Sequence, residues 1–375
     1  MNVSRWMIAL AIVAFGVLGR ADEEVVDPAK ANADPAEDVL WYDVELLNVE
    51  GRGWSETKAT YDRLPAKAEG VVRPPVWSLS HHSAGIAVRF KTDATKIHAK
   101  WSLISSSLAM PHMPATGVSG LDLYVKTEKG RWRWLSGGRP TKFPENRATL
   151  VNGIPNGTRE YLLYLPLYNG VTSVAIGIPK QSKLWRAELT ADAKPIVFYG
   201  TSITQGGCAS RPGMVHTAIL GRRLDHPVIN LGFSGNGRME QELADLLSEL
   251  DVAAYVIDCL PNIVAKEVAE RTEPLVRTLR KAKPNTPILL VEDRSYADSF
   301  LVTNKRQRNE QSRAALREVF ERLQADGVAG LYYLEGEHQI GDDGEGTVDS
   351  SHPTDLGFVR MAGAFEPVLK KMLAR

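Results

Sequence analysis

Ile196-Val197-Phe198-Tyr199-Gly200-Thr201-Ser202-Ile203-Thr204-Gln205-Gly206 is the stretch whose reading decides the fold. Its apolar first half reads as a buried strand that stops at Gly200-Thr201-Ser202, with a hydroxyl at its C-terminal tip. Open α/β sheets bind ligands outside the carboxyl ends of their strands, so Ser202 is a candidate nucleophile. Gly200, Gly206 and Gly207 suit a tight turn and close backbone approach. On this stretch alone, a serine capping the following helix is an equal reading.

Downstream, apolar runs alternate with helical periodicity. Strands are expected at 228–231, 253–258, 287–291 and 330–334, and helices near 213–224, 239–249, 266–282, 309–325 and from Asp355 onward. That alternation predicts a parallel sheet with helices on both faces. Upstream, from Trp41 to about Glu188, short stretches such as Gly85–Phe90, Gly120–Val125 and Ser173–Ile178 alternate apolar and polar residues between Gly and Pro clusters. They predict a jelly-roll-type β-sandwich with no helical stretch. The chain then divides into a signal peptide at 1–21, a flexible linker at 22–38, the sandwich at 39–190 and the α/β domain at 191–375.

Arg5, the apolar run Trp6–Leu18 and the small residues Gly19 and Ala21 have the form of an export signal cleaved after Ala21, with an uncleaved anchor as the alternative. The expected location is therefore outside the cytoplasm, with no membrane contact after cleavage. A formal net charge of zero over 375 residues gives no reason to expect nucleic acid as a partner. Cys208 and Cys259, the two cysteines, exclude a disulfide framework and a cysteine zinc site; two buried thiols are the preferred reading, one disulfide the other.

Four segments fall at predicted strand ends on one sheet edge: Gly200-Thr201-Ser202, Asn230–Gly237, Asp258–Asn262 and Val348–Pro353. They support acyl transfer through a serine. His352 is the candidate base for Ser202, and Asp349, three residues earlier, the carboxylate that orients its ring. The backbone N–H groups of Ser202 and Gly235 and the amide of Asn262 are candidate oxyanion donors, Gly235 because a Cβ would obstruct an N–H aimed into the site. This chemistry uses no cofactor and no metal. His81-His82 lacks a third ligand, and the acidic residues Asp342, Asp343 and Glu345 read as a solvated loop.

The same segments resemble the sequence blocks of the SGNH (GDSL-type) hydrolase superfamily. The resemblance implies a flavodoxin-like sheet, a Ser202–His352–Asp349 triad and an oxyanion hole of Ser202, Gly235 and Asn262. Thr201 stands where the superfamily usually has aspartate, and Cys259-Leu260-Pro261-Asn262 replaces the usual Gly-x-Asn-Asp. Both departures, with Gly120-Leu121-Asp122-Leu123-Tyr124, resemble a subgroup whose N-terminal β-sandwich carries a Gly-x-Asp-Leu-Tyr motif. The expected activity is hydrolysis of short acyl esters, acetyl above all, on a small-molecule or polysaccharide substrate. An acyltransferase using the same residues and a non-catalytic carbohydrate-binding protein are the alternatives. Met110, His112, Arg211 and Arg238 are candidate substrate contacts.

Overall fold

In the computed structural model, which describes residues 24–187 and 193–374, the alternating stretches of the first half pair into two antiparallel sheets. The strands are β1 (Asn32–Asp34), β2 (Val39–Asp43), β3 (Asn48–Glu50), β4 (Ala87–Thr92), β5 (Lys96–Leu103), β6 (Leu121–Lys126), β7 (Trp132–Gly138), β8 (Glu145–Asn152), β9 (Arg159–Tyr164), β10 (Val171–Pro179) and β11 (Leu184–Arg186). One sheet runs β1-β2-β10-β5-β8 and the other β11-β4-β9-β6-β7, with β3 on the same edge of β4 as β11. Every second residue turns inward. Val88 and Phe90, Ile97, Ala99 and Trp101, Leu121 and Leu123, and Val174, Ile176 and Ile178 share one core between the sheets.

Two expectations for this half are corrected. Residues 24–38 are no linker: Val25 bridges to Trp185, Val26 is buried, and β1 pairs with β2. An edge strand needs only backbone partners, so its polar sequence carries no alternation to read. Helices also occur, at α1 (Pro74–Ser80) and α2 (Ala115–Val118). Pro74 occupies the first helical position of α1, where a missing N–H costs nothing, and reads in sequence as a turn. The proposed signal segment and the 190/191 junction lie outside the described residues.

The second half contains β12 (Ile196–Gly200), α3 (Ser202–Gln205), α4 (His216–Leu224), β13 (Val228–Gly232), α5 (Gln241–Glu249), β14 (Ala254–Asp258), α6 (Ala265–Ala282), β15 (Ile288–Val291), α7 (Thr303–Ala325), β16 (Leu331–Leu334) and α8 (Asp355–Leu373). The sheet order is β13-β12-β14-β15-β16, all parallel, as in flavodoxin-like sheets. Ile196 and Phe198 face the core shared with α4 and α8; Val197 and Tyr199 face the core shared with α5, α6 and α7. Burial on both faces explains the unbroken apolar runs. α7 starts at Thr303, ahead of the expected Asn309; its first turns are polar and carry no apolar periodicity to read. The domains share a core as well: Leu64, Ala68, Val72 and Val76 of the first pack with Leu243, Leu247 and Leu250 of the second. Among the described residues no helix is long and apolar enough to cross a membrane.

Candidate active site

The site lies where the strand order reverses, at the end of β12 between β13 and β14. A Cβ at Gly200 would stand 2.1 Å from Thr204 Oγ1 and 2.7 Å from the Asp258 carbonyl, so only glycine lets the strand turn directly into α3. Thr201, not Ser202, caps that helix, its Oγ1 accepting from Ile203 N–H at 3.3 Å. This separates the two readings of the opening stretch. Ser202 is the first helical residue, its side chain is free of capping duty, and its N–H has no intrahelical acceptor. The Ser202 carbonyl is held by the N–H groups of Gly206 (3.0 Å) and Gly207 (2.7 Å) and by the Tyr168 hydroxyl of the first domain (3.0 Å).

Ahead of α8, the N–H of Val348 donates to the His352 carbonyl at 2.8 Å and closes a turn with Ser350 at φ +70°. Inside it, Asp349 Oδ1 accepts from the N–H groups of Ser351 (3.1 Å) and His352 (2.7 Å). Asp349 Oδ2 thereby meets His352 Nδ1 at 2.7 Å, and His352 Nε2 lies 2.8 Å from Ser202 Oγ. Burial pushes the Asp349 carboxyl upward, but the bonds from His352 N–H, its ring and Ser351 N–H outweigh it and hold the group below its usual range. The turn is fixed from behind. Ala297 N–H donates to the Ser350 carbonyl at 2.9 Å, Lys305 Nζ to Ser350 Oγ at 2.7 Å, and Arg294 Nε to the Ser351 carbonyl at 3.2 Å.

After β13 the N–H groups are nearly all committed. Phe233 N–H donates to the Gly200 carbonyl, Ser234 N–H to Gln205 Oε1, and those of Asn236 and Gly237 to the Phe233 carbonyl. Gly235 N–H is the exception: among the described residues it meets no acceptor. The expected reason for glycine there is corrected. A Cβ would find open space, and glycine is required by the left-handed backbone at φ +68°. Asn262 ends a short 3-10 turn; the carbonyls of Leu260 and Pro261 within it and of Ile263 just past it all accept from Arg308 Nη2, while Arg308 Nη1 pairs with Asp293 at 2.9 Å. The better satisfied orientation of its amide sets Oδ1 on the N–H groups of Asn236 (3.1 Å) and Gly237 (3.3 Å). The reverse leaves Nδ2 with long bonds to the carbonyls of Gly237 (3.3 Å) and Phe233 (3.5 Å).

The four candidate substrate contacts separate. His112, exposed on the loop between β5 and β6, has its ring centroid 6.1 Å from that of His352. Met110 is half-buried and bridges to Met113 across the base of the same loop. Arg211 is corrected: Nη1 pairs with the buried Asp122 at 2.8 Å and bonds Tyr124, and the guanidinium covers the Trp134 ring, so the Gly-x-Asp-Leu-Tyr motif holds it in a domain contact. Arg238 Nε donates to the Gly235 carbonyl at 3.1 Å and steadies that loop. His81 bonds Asp62 and His82 bonds Gln205; Cys208 and Cys259 are both buried and free. Sequence reading missed Arg63, Tyr168, Arg294 and Arg308. One signal was present, since Glu292-Asp293-Arg294 sets three charges directly after a buried strand.

An open parallel sheet with a serine, histidine and aspartate hydrogen-bonded at its switch point defines a class, the serine hydrolases. Residues 193–370 match the GDSL-like lipase/acylhydrolase family, and residues 39–184 match the N-terminus of SGNH-hydrolase-type esterases. The crystal structure of a protein described as a GDSL-like lipase from Bacteroides ovatus is 34% identical, with a TM-score of 0.85 over 90% of this chain and 98% of that one. The chain therefore belongs to the GDSL-like lipase/acylhydrolase family and is an ester-hydrolysing enzyme. A salicylyl-acyltransferase from a tetracycline biosynthetic pathway shares the fold at 19% identity, with a TM-score of 0.68 over 95% of this chain and 100% of that one. So does a family two carbohydrate esterase from Clostridium thermocellum in complex with cellohexaose, at 16% identity and a TM-score of 0.56 over 78% of this chain and 93% of that one. None of the curated proteins compared matches the chain.

Proposed function

We propose that the protein is an exported serine esterase that removes short acyl groups, acetyl above all, from carbohydrate. The observation that carries the chemistry is the chain from Ser202 Oγ through His352 (2.8 Å) to Asp349 (2.7 Å). His352 Nε2 takes the hydroxyl proton as Oγ attacks the acyl carbon, and Asp349 steadies the imidazolium that forms. The oxyanion is met by the N–H groups of Ser202 and Gly235 and by Asn262 Nδ2. His352 then protonates the departing alcohol. Water, deprotonated by the same nitrogen, cleaves the acyl-enzyme and releases the free acid.

Carbohydrate as the alcohol is supported by the sugar-bound esterase on the same fold and by the export-type N-terminus. His112 and Met110 belong to the loop beside His352, and there they contact the alcohol part of the ester. The test is hydrolysis of short-chain aryl acetates and acetylated polysaccharide by wild type and Ser202→Ala. Equal rates for the two proteins on aryl acetate would sink the esterase reading. The acyltransferase named above supports one rival outcome, transfer of the acyl group to an added alcohol in preference to release as acid. Export is tested by sequencing the N-terminus of the mature protein from the producing cell, with Asp22 expected first.

A further inference from the structure

Arg63 belongs to the first domain, yet its guanidinium lies under the loop of the second that carries Gly235. It is 1% exposed. All its hydrogen bonds go to carbonyls: Nε to His82 (2.8 Å), Nη2 to Leu79 (2.7 Å), and Nη1 to both Asn230 (3.1 Å) and Gly232 (2.7 Å). Its Cζ stands 4.9 Å over the centre of the Phe233 ring. Among the described residues it has no carboxylate partner; the neighbouring Asp62 is engaged by His81 at 2.8 Å and by Ala59 N–H at 3.1 Å. Burying a cation is costly unless its donors are satisfied, and four aligned carbonyls, with an aromatic face, are what satisfies this one.

Those carbonyls are not arbitrary. Asn230 and Gly232 lie among the last three residues of β13, before the loop that carries Gly235. A second route starts at His82, whose carbonyl Arg63 holds: its Nδ1 meets Gln205 Nε2 at 3.0 Å, and Gln205 Oε1 accepts from Ser234 N–H at 3.0 Å. Burial pushes His82 down to about 4, which keeps the ring neutral and able to accept. One guanidinium thus fixes Gly232 directly and Ser234 through His82 and Gln205. Gly235 follows at once, its N–H the uncommitted one of the loop.

We propose that Arg63 is a positioning residue for acyl transfer, through which the first domain holds the Gly235 N–H at the oxyanion. The proposal rests on the reading of Gly235 as an oxyanion donor. A donor misplaced by a fraction of an ångström stabilises the transition state less and leaves ground-state binding nearly untouched.

The experiment compares full-length wild type, Arg63→Ala, Arg63→Lys and Ser202→Ala on an aryl acetate. It also measures affinity for a phenylboronic acid, whose tetrahedral serine adduct places an oxygen in the oxyanion site. In Arg63→Ala, kcat is expected to fall about 10–100-fold with KM changed less than about threefold, and boronate affinity to fall in parallel. Guanidinium ion at sub-denaturing concentration should recover part of the rate in Arg63→Ala, sodium chloride at equal ionic strength none. Arg63→Lys keeps the charge but not the fork, so it should lose kcat too; it also serves where Arg63→Ala does not fold. A folded Arg63 variant with wild-type kcat and boronate affinity overturns the proposal, as does a loss of kcat with unchanged boronate affinity. If instead Ser202→Ala matches wild type, the underlying esterase reading is the part that fails.

Discussion

Two polar networks meet at the end of β12, and they are built in opposite ways. The Ser202–His352–Asp349 chain is partly open to solvent, with Asp349 44% and His352 26% exposed at the side chain, and each member is set by a local turn. The network behind it is long-range, with Arg63, Arg294 and Asp293 buried and Arg308 half-buried: Arg63 clamps β13, Arg308 and Asp293 clamp the Asn262 turn, and Arg294 clamps the His352 turn. The three groups proposed to react hold one another at short range. Their relative placement is set by arginines that donate to backbone carbonyls. The difference predicts that removing a reacting group abolishes chemistry without unfolding the protein, while removing a clamp costs both rate and stability.

The largest effect is expected at the first network. Ser202→Ala should lower kcat on an aryl acetate by about 10⁴-fold or more with the melting temperature nearly unchanged, and His352→Ala should be comparable because the two act as a unit. A drop in melting temperature matching the drop in rate would erase the contrast between the networks.

Asn262 and Arg308 set the two kinds of residue side by side. Asn262→Ala should cost about 3 kcal/mol of transition-state stabilisation, a 10²-fold fall in kcat, at little cost in stability. Arg308→Leu leaves that amide in place but frees three carbonyls and takes one of its cations from the buried Asp293, which keeps Asn309 and Arg294. It should lower kcat less, about tenfold, and destabilise the fold more, by about 2–3 kcal/mol. Steady-state kinetics and denaturant unfolding of the pair decide this, and the reverse ranking would contradict the division of labour.

The same contrast explains what could be read in advance. Ser202, Gly235, Asn262, Asp349 and His352 each stand in a short segment at a strand end, where residue type and position suffice, and the resemblance names the same five. Arg308 is one of three cations in Asn304-Lys305-Arg306-Gln307-Arg308, and nothing in that run says which one turns inward. Arg63 likewise looks like any surface charge and Arg211 reads as a substrate contact, because an inward-turned arginine is marked only by partners far away in sequence. β1 was illegible for a related reason, since its place rests on backbone bonds rather than on its side chains.

Asp122 extends the comparison to the domain contact. Its buried carboxylate accepts from Arg211 Nη1 (2.8 Å), Gly213 N–H (2.8 Å) and Trp134 Nε1 (2.7 Å). Asp122→Asn should lower unfolding free energy by about 2 kcal/mol, because one amide oxygen and one amide nitrogen cannot accept all three bonds. Activity per folded molecule should stay within about threefold. A selective loss of kcat would move Asp122 into the group that Arg63 represents.

The smallest effect separates the networks by pH. Asp258 ends β14 fully buried, accepting from Thr204 Oγ1 at 3.3 Å, and burial pushes its carboxyl up to about 7 despite the pull of Arg294. The unfolded chain releases that proton near 3.8, so between about 4 and 7 the folded state binds it more tightly and stability falls as pH rises. His216 acts in the other direction. It is buried against Phe198, Phe358 and Phe365 and pushed down to about 3 by burial, so it withdraws stability as pH falls below its ordinary 6.5. Asp258→Asn removes only the first of these. It should be more stable than wild type at pH 8 by about 1–2 kcal/mol and show little of that advantage at pH 4.5, while His216 keeps its acid-side slope in both proteins. Unfolding curves for the two proteins at both pH values test this. Parallel profiles would mean that Asp258 is ionised in the fold, held by Arg294 as part of the clamp network, and that the charge balance beneath Ser202 is paired throughout.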